Sequence, residues 1–350
     1  MAFNLFVNAQ ESRPRAGWRI ILQMLLFAAI LIGGQVIMGI GLGVFAAMSG
    51  ENVADPAFVV ALESNPLVRV FTGVLSMIAI AVSYLVAARW LDRRPLRDFG
   101  FHFNKNWWLD FGFGLFLGAI LMVFIFVVEL AAGWVTITGT MTSLRPGVDF
   151  WSGIIAWVFV FLFVGIYEEM LSRGYQLRNL AEGLNFKPLN PRLALLLAYL
   201  LSSSFFGFLH AGNPNATLVS TLNLIVAGLF LGFGYVLTGE LAIPIGLHIT
   251  WNFFQGNVFG FPVSGGGTPA TFIAIQQGGP DLWTGGAFGP EAGLIGLIAI
   301  AIGFALTTAW VKVRHGKVAL RRELAVYSGK DEKQLAAPEP VQEQTLTPAG

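Results

Sequence analysis

Cysteine is absent from the 350 residues, which excludes disulfides, thiolate metal ligands and a cysteine nucleophile together. Charge is nearly as scarce. Only 12% of the residues are charged while 55% are hydrophobic, and the mean hydropathy is +0.68, far from a soluble average. The pair of soluble domains that length alone suggests is thereby excluded. A net charge of +1 gives no general attraction to nucleic acid, so no nucleic-acid partner is expected. Three hydrolase signatures are missing as well. There is no His-Glu-x-x-His zinc motif, no Gly-x-Ser-x-Gly elbow and no pair of mid-span aspartates, since Asp110 and Asp149 fall near span ends. Met1–Gly17 lacks the apolar core and small-residue cleavage site of a signal peptide, so the first apolar run is expected to stay as a membrane helix.

What the chain does contain is apolar runs long enough to cross a bilayer, which takes ~18 residues or more. They are roughly Trp18–Met48, Pro66–Trp90, Trp107–Val135, Phe150–Arg173, Arg192–His210, Ala216–Thr238, Leu241–Gly260 and Ala292–Val313. The chain therefore reads as an all-α polytopic membrane protein with about eight transmembrane helices. With this count all lysines and arginines except Arg69 and Arg145 fall on one side, which places both termini in the cytoplasm by the positive-inside rule. Residues 1–17 are then a cytoplasmic segment, 18–317 the membrane domain and 318–350 a polar, largely disordered cytoplasmic tail. The loop 261–290 is rich in glycine and proline, which forbids a regular helix through it. It reads as a connector or as a partly re-entrant flap over the core. Glu129 is expected at the outer interface, and Gln23, Gln35 and Asn223 in hydrogen bonds between helices.

The apolar run Phe150–Tyr167 ends in GIYEEMLSRGYQ, Gly165–Gln176. Ionisable groups at bilayer depth cost ~2.5–3.5 kcal/mol each on insertion scales and mark functional sites by default. On a helix Glu169 and Arg173 stand four apart and can pair, leaving Glu168, ~100° around, to face a cavity. Two other spans bring polar groups at the same spacing. His210 follows Phe206 by four, and Asn252 follows His248 by four, sharing a helix face. Helical rise brings these groups to one depth if the fourth span continues as a helix to about Gly183, with Tyr175, Leu177, Leu180 and Leu184 on one apolar side. The cluster would then lie in the cytoplasmic half of the membrane.

A carboxylate, two imidazoles and an amide around a hydrated pocket suit hydrolysis of a carbonyl compound. Glu168 can act as general base on water, His210 can hold that water or move its proton, and His248 with Asn252 can stabilise an oxyanion. Glu169 and Arg173 hold the site's structure. A serine nucleophile among Ser202–Ser204 stays open at this point. So does a divalent cation such as zinc, whose ligands would be Glu168, His210 and His248. Intramembrane Glu and His also mark transporters and proton relays, although repeats and paired broken helices are not evident.

Tyr167–Arg173 together with Phe206–His210 and His248–Asn252 resembles the CPBP family of intramembrane proteases, also called the CAAX protease and bacteriocin-processing (Abi) family, which includes the type II CAAX prenyl endopeptidase. The likeness covers about residues 153–260. It implies an active site inside the membrane, a water activated by Glu168 with His210, and an oxyanion site from His248 and Asn252. It implies as partners the lipid bilayer and a membrane-bound peptide or protein substrate, with no cofactor demanded by the motifs and no oligomeric state. The setting it implies is a bacterial cell membrane. Some members of the family look like immunity or scaffold proteins, so a non-catalytic membrane partner is the alternative.

Overall fold

The computed structural model describes residues 4–327, apart from 9, 10, 53, 54, 56, 57, 59, 60, 63 and 64. The expected tail from residue 328 onward lies outside the described residues. A short hairpin, β1 (Val7–Asn8) and β2 (Arg13–Pro14), leads into the first helix. The helices are α1 (Ala16–Met48), α2 (Pro66–Asp92), α3 (Lys105–Ala131), α4 (Phe150–Leu184), α5 (Pro191–Leu209), α6 (Leu218–Thr238), a shorter α7 (Ala242–Phe253) and α8 (Leu294–His315). All but α7 are long and apolar enough to cross a membrane. The chain is a multi-pass integral membrane protein.

Side chains at the helix ends explain where most of these helices begin. Asn65, Asn104, Asp149 and Asn190 each accept a hydrogen bond from a backbone N–H of the first turn, and Thr217 forms a reciprocal capping box with Ser220. Gly239 and Gly316 end α6 and α8 in the left-handed conformation, at φ +79° and +74°. The fourth span does run on past its charges. A π-helical stretch, Met170–Leu177, joins Phe150–Glu169 to Arg178–Leu184, so α4 reaches one residue beyond the expected Gly183.

The expected seventh span is the shortest of the eight. α7 has 12 residues, extended only by a five-residue π-helical turn, Phe254–Val258. It is buried within the bundle, with Ala242–His248 and Trp251 enclosed. Glycines allow this. A Cβ at Gly114 of α3 would lie 2.5 Å from the Ile243 carbonyl oxygen, and one at Gly118 would lie 2.5 Å from that of Leu247, so the two backbones touch as small-residue interfaces allow. Gly165 of α4 approaches the opposite side, where a Cβ would stand 2.6 Å from Ile249. α7 is thus held from both sides, and with it the side chains it carries.

Outside the helices, β3 (Val135–Ser143) pairs antiparallel with β4 (Ala270–Gln277), with an irregularity between Ile137 and Gly139. The glycine-rich loop therefore contains an ordered strand and is no mere connector. Glu129 departs from its expected place. It is fully buried, with Oε2 accepting from Gln277 Nε2 at 3.1 Å across to β4. Residues 318–327 also depart from the expected tail, because Arg321 N–H donates to Val236 O at 2.8 Å and Leu324 and Ala325 are buried among Leu177, Ala181 and Ala194. Gln23 and Asn223 do make contacts between segments, to Ser83 Oγ and Ala292 O.

Candidate active site

Midway along α4, eighteen residues after Phe150 and sixteen before Leu184, comes Glu168. Its neighbour Glu169 is completely buried, and its Oε1 accepts from Arg173 Nη1 at 2.9 Å. The other guanidinium nitrogen, Nη2, donates to Gly228 O of α6 at 2.8 Å, and the guanidinium carbon lies 4.5 Å from the centre of the Phe206 ring of α5. One arginine thereby ties three helices together. Sequence spacing foresaw the Glu169–Arg173 pair but not its second partner. His248 Nδ1 lies 2.8 Å from the same Glu169 Oε1. An ionised carboxylate only accepts, so Nδ1 carries the proton, and the ring is fixed with Nε2 facing the other way.

That face looks toward Glu168. Nε2 of His248 stands 3.9 Å from Glu168 Oε2, too far for a direct hydrogen bond. Oε2 has no hydrogen-bond partner, and Oε1 has only the Tyr167 hydroxyl at 3.4 Å. An unpaired carboxylate oxygen in an apolar bundle is costly unless something mobile satisfies it. His210 caps α5, where its Nδ1 donates to Phe206 O at 2.8 Å, leaving Nε2 as the nitrogen available to the cavity that the ring lines. Asn252, one turn after His248, lines the same cavity.

The cavity measures about 200 Å³ and joins Glu168, His210, His248 and Asn252 to apolar walls from Phe161, Leu231 and Trp251. Three further polar residues that the sequence did not reveal, Asn213, Ser264 and Glu291, also line it. Glu291 is 3% exposed, accepts from Ser264 N–H at 2.6 Å and pairs with Gln255 Nε2. Burial pushes its carboxyl up to about 7, against the lowering effect of those donors. The one available signal was a carboxylate directly before an apolar run. Val263 and Ser264 of the glycine-rich loop also line the cavity, in keeping with the flap reading of that loop.

Two alternatives left open by the sequence receive no support. Ser202 Oγ donates to Ser172 O at 2.7 Å, and none of Ser202–Ser204 lines the cavity. The zinc set Glu168, His210 and His248 is not assembled. Among the described residues no group of three His, Asp or Glu side chains is arranged to hold a metal ion, and His248 Nδ1 is taken up by Glu169.

Residues 150–254, which carry Glu168, Glu169, Arg173, His210, His248 and Asn252, match a family model. That family is Rce1-like, the type II CAAX prenyl endopeptidases. It is the family that the three motifs resemble. The Rce1-like stretch runs from the start of α4 to the end of α7, so it takes in every wall of the Glu168 cluster contributed by α4, α5, α6 and α7. The match supports an intramembrane endopeptidase of the CAAX type acting on membrane-associated substrates. No curated protein and no solved structure matches the chain.

Proposed function

We propose that the protein hydrolyses peptide bonds of membrane-bound peptides or proteins with a water activated by Glu168. The observation that carries this reading is the partnerless Glu168 Oε2, 3.9 Å from His248 Nε2, at the wall of a cavity. A water bonded to both at ~2.8 Å sits off the line that joins them, reachable by a substrate carbonyl. Two carboxylates and one guanidinium leave the cluster one positive charge short.

In the reacting form, with both nitrogens of His248 carrying protons, Glu168 takes a proton from the water as the water oxygen bonds to the carbonyl carbon. The oxyanion that forms is met by His248 Nε2–H and the Asn252 amide, and Glu169 stabilises the imidazolium from behind. Glu168 then delivers its proton to the leaving nitrogen as the C–N bond breaks, giving a carboxylic acid and an amine. His210, oriented by Phe206 O, holds the water from its free nitrogen. The basic end of the bundle faces the cytoplasm of a bacterial cell in this reading.

The test is cleavage of a library of membrane-anchored peptides by the purified protein and by Glu168→Gln. Loss of cleavage in a variant with unchanged melting temperature supports the assignment; equal rates end it. No cleavage by either protein, with a biological effect that survives Glu168→Gln, would instead favour a non-catalytic membrane partner.

A further inference from the structure

A second charged cluster lies at the end of the bundle where the basic residues gather. Glu182, near the end of α4, receives Arg13 Nη2 at 2.7 Å, Arg19 Nη2 at 3.0 Å, Arg94 Nη2, and Arg178 Nε at 3.6 Å. Asp92 takes Arg19 at 3.3 Å and the Tyr175 hydroxyl at 2.7 Å. Glu11 adds a third carboxylate beside Arg13. Four guanidiniums face these three carboxylates, and Asp98 adds a fourth beside Arg94. Arg94 is the least satisfied of them: its side chain is 2% exposed, yet Nε and Nη1 have no hydrogen-bond partner.

Beside it the surface is concave. An open hollow of about 720 Å³ is lined by Arg89, Trp90, Arg93 and Arg94 with Ala88 and Pro95. Arg89 and Arg93 are exposed and form no ion pair among the described residues. Arg93 has φ +53°, a left-handed conformation uncommon for a side chain of this size, and its carbonyl accepts from the Tyr327 hydroxyl at 3.3 Å. That turn presents two consecutive arginines at the end of a membrane-crossing helix. Trp90, 64% exposed, is the residue type that settles among headgroups.

We infer that this hollow binds the phosphate of an anionic phospholipid headgroup. Arg89 and Arg93, exposed and without an ion pair among the described residues, supply charge and donors for a phosphodiester, Arg94 adds its charge at the wall of the hollow, and guanidinium forks suit phosphate geometry. The position at the end of a span, with an exposed indole, favours a lipid over a free anion. The bound headgroup would brace the arginines that hold Glu182, and so the end of α4.

The test uses the full chain in nanodiscs of phosphatidylcholine alone or mixed with phosphatidylglycerol. Retained lipid is read by native mass spectrometry and melting temperature by calorimetry. Wild type is expected to retain phosphatidylglycerol selectively and to melt higher in its presence. The double variant Arg89→Ala/Arg93→Ala, confined to exposed side chains, should lose selectivity by about fivefold for each arginine removed. Lys312→Ala/Lys317→Ala removes equal charge from the end of α8 and the residues just after it and should leave selectivity intact. Equal loss in both double variants reduces the effect to general surface charge and overturns the site. Equal protection by inorganic phosphate in phosphatidylcholine discs overturns the lipid assignment.

Discussion

The helix α4 carries two charged clusters fourteen residues apart, and they are built on opposite principles. At its end, Glu182 is surrounded by four arginines. At its middle, Glu168 and Glu169 share one arginine and one histidine, and Glu168 keeps an oxygen with no partner at all. A saturated carboxylate is held in place and cannot easily take up a proton. An unsaturated one beside a cavity can. The same residue type thus serves cohesion in one place and chemistry in the other, and the number of facing cations decides which.

Matching substitutions at the two sites should give opposite results, and these are the largest effects expected. Glu168→Gln keeps the side-chain shape and removes the base, so peptide cleavage should fall by about 10²–10⁴-fold with little change in melting temperature. Glu182→Gln leaves buried guanidiniums uncompensated, at a cost of roughly 3–5 kcal/mol of stability. Calorimetry and cleavage assays on both variants check the pair. A Glu168→Gln protein that melts early, or a Glu182→Gln protein as stable as wild type, would break the contrast.

Glu291 sharpens the comparison because it is a carboxylate in the cavity with no cation at all. Burial pushes it up to about 7 from an ordinary 4.5. Between these values the folded state holds a proton that the unfolded state has released, so stability falls as pH rises through this window and levels off above it. The shift corresponds to roughly 3 kcal/mol between acidic pH and pH above 7. Melting curves across that range should show the decline in wild type and a flatter profile in Glu291→Gln, which keeps hydrogen-bonding groups beside Ser264 and Gln255. Parallel profiles for the two proteins would mean that the carboxyl is solvated.

Much of this arrangement could be read from the chain itself, and its gaps follow from physics. Apolar length located the membrane helices, because hydrocarbon thickness is a strict ruler. It did not show that α7 is enclosed by other helices, since an apolar run looks alike whether it meets lipid or protein, and the deciding glycines, Gly114 and Gly118, lie on α3. Helical spacing gave Glu169 with Arg173 and His248 with Asn252, pairs within one element. It could not give Glu169 with His248, 79 residues apart, because contacts between elements leave no period. The strands were missed although VTITGTMTS and ATFIAIQQ are rich in β-branched residues. Glu129 was placed at the interface because its partner Gln277 lies on β4, a strand the sequence reading did not foresee.

α7 tests whether the unsaturated cluster depends on close helix packing. Gly118→Ala puts a methyl against the Leu247 carbonyl, directly before His248, and overpacking of this kind costs about 1–3 kcal/mol. Displacing α7 lengthens the 2.8 Å contact between His248 and Glu169, so cleavage should drop further than the stability loss alone accounts for. Gly112→Ala, on the same helix but with open space around the new methyl, is the control and should be silent in both assays. Equal activity in the two variants would detach His248 from the reaction.

The smallest effect is expected where neither cluster is touched. Thr217 caps α6 through its reciprocal bonds with Ser220, and Thr217→Ala should cost about 1 kcal/mol, seen as a modest drop in melting temperature. The cap ends the short segment that leads on from His210, but His210 itself is fixed by Phe206 O within α5. Cleavage per folded molecule should therefore stay as it is. If instead it falls with the cap, the orientation of His210 rests on the loop rather than on the helix end, and the active cluster would then reach beyond the rigid helices that hold Glu168 and His248.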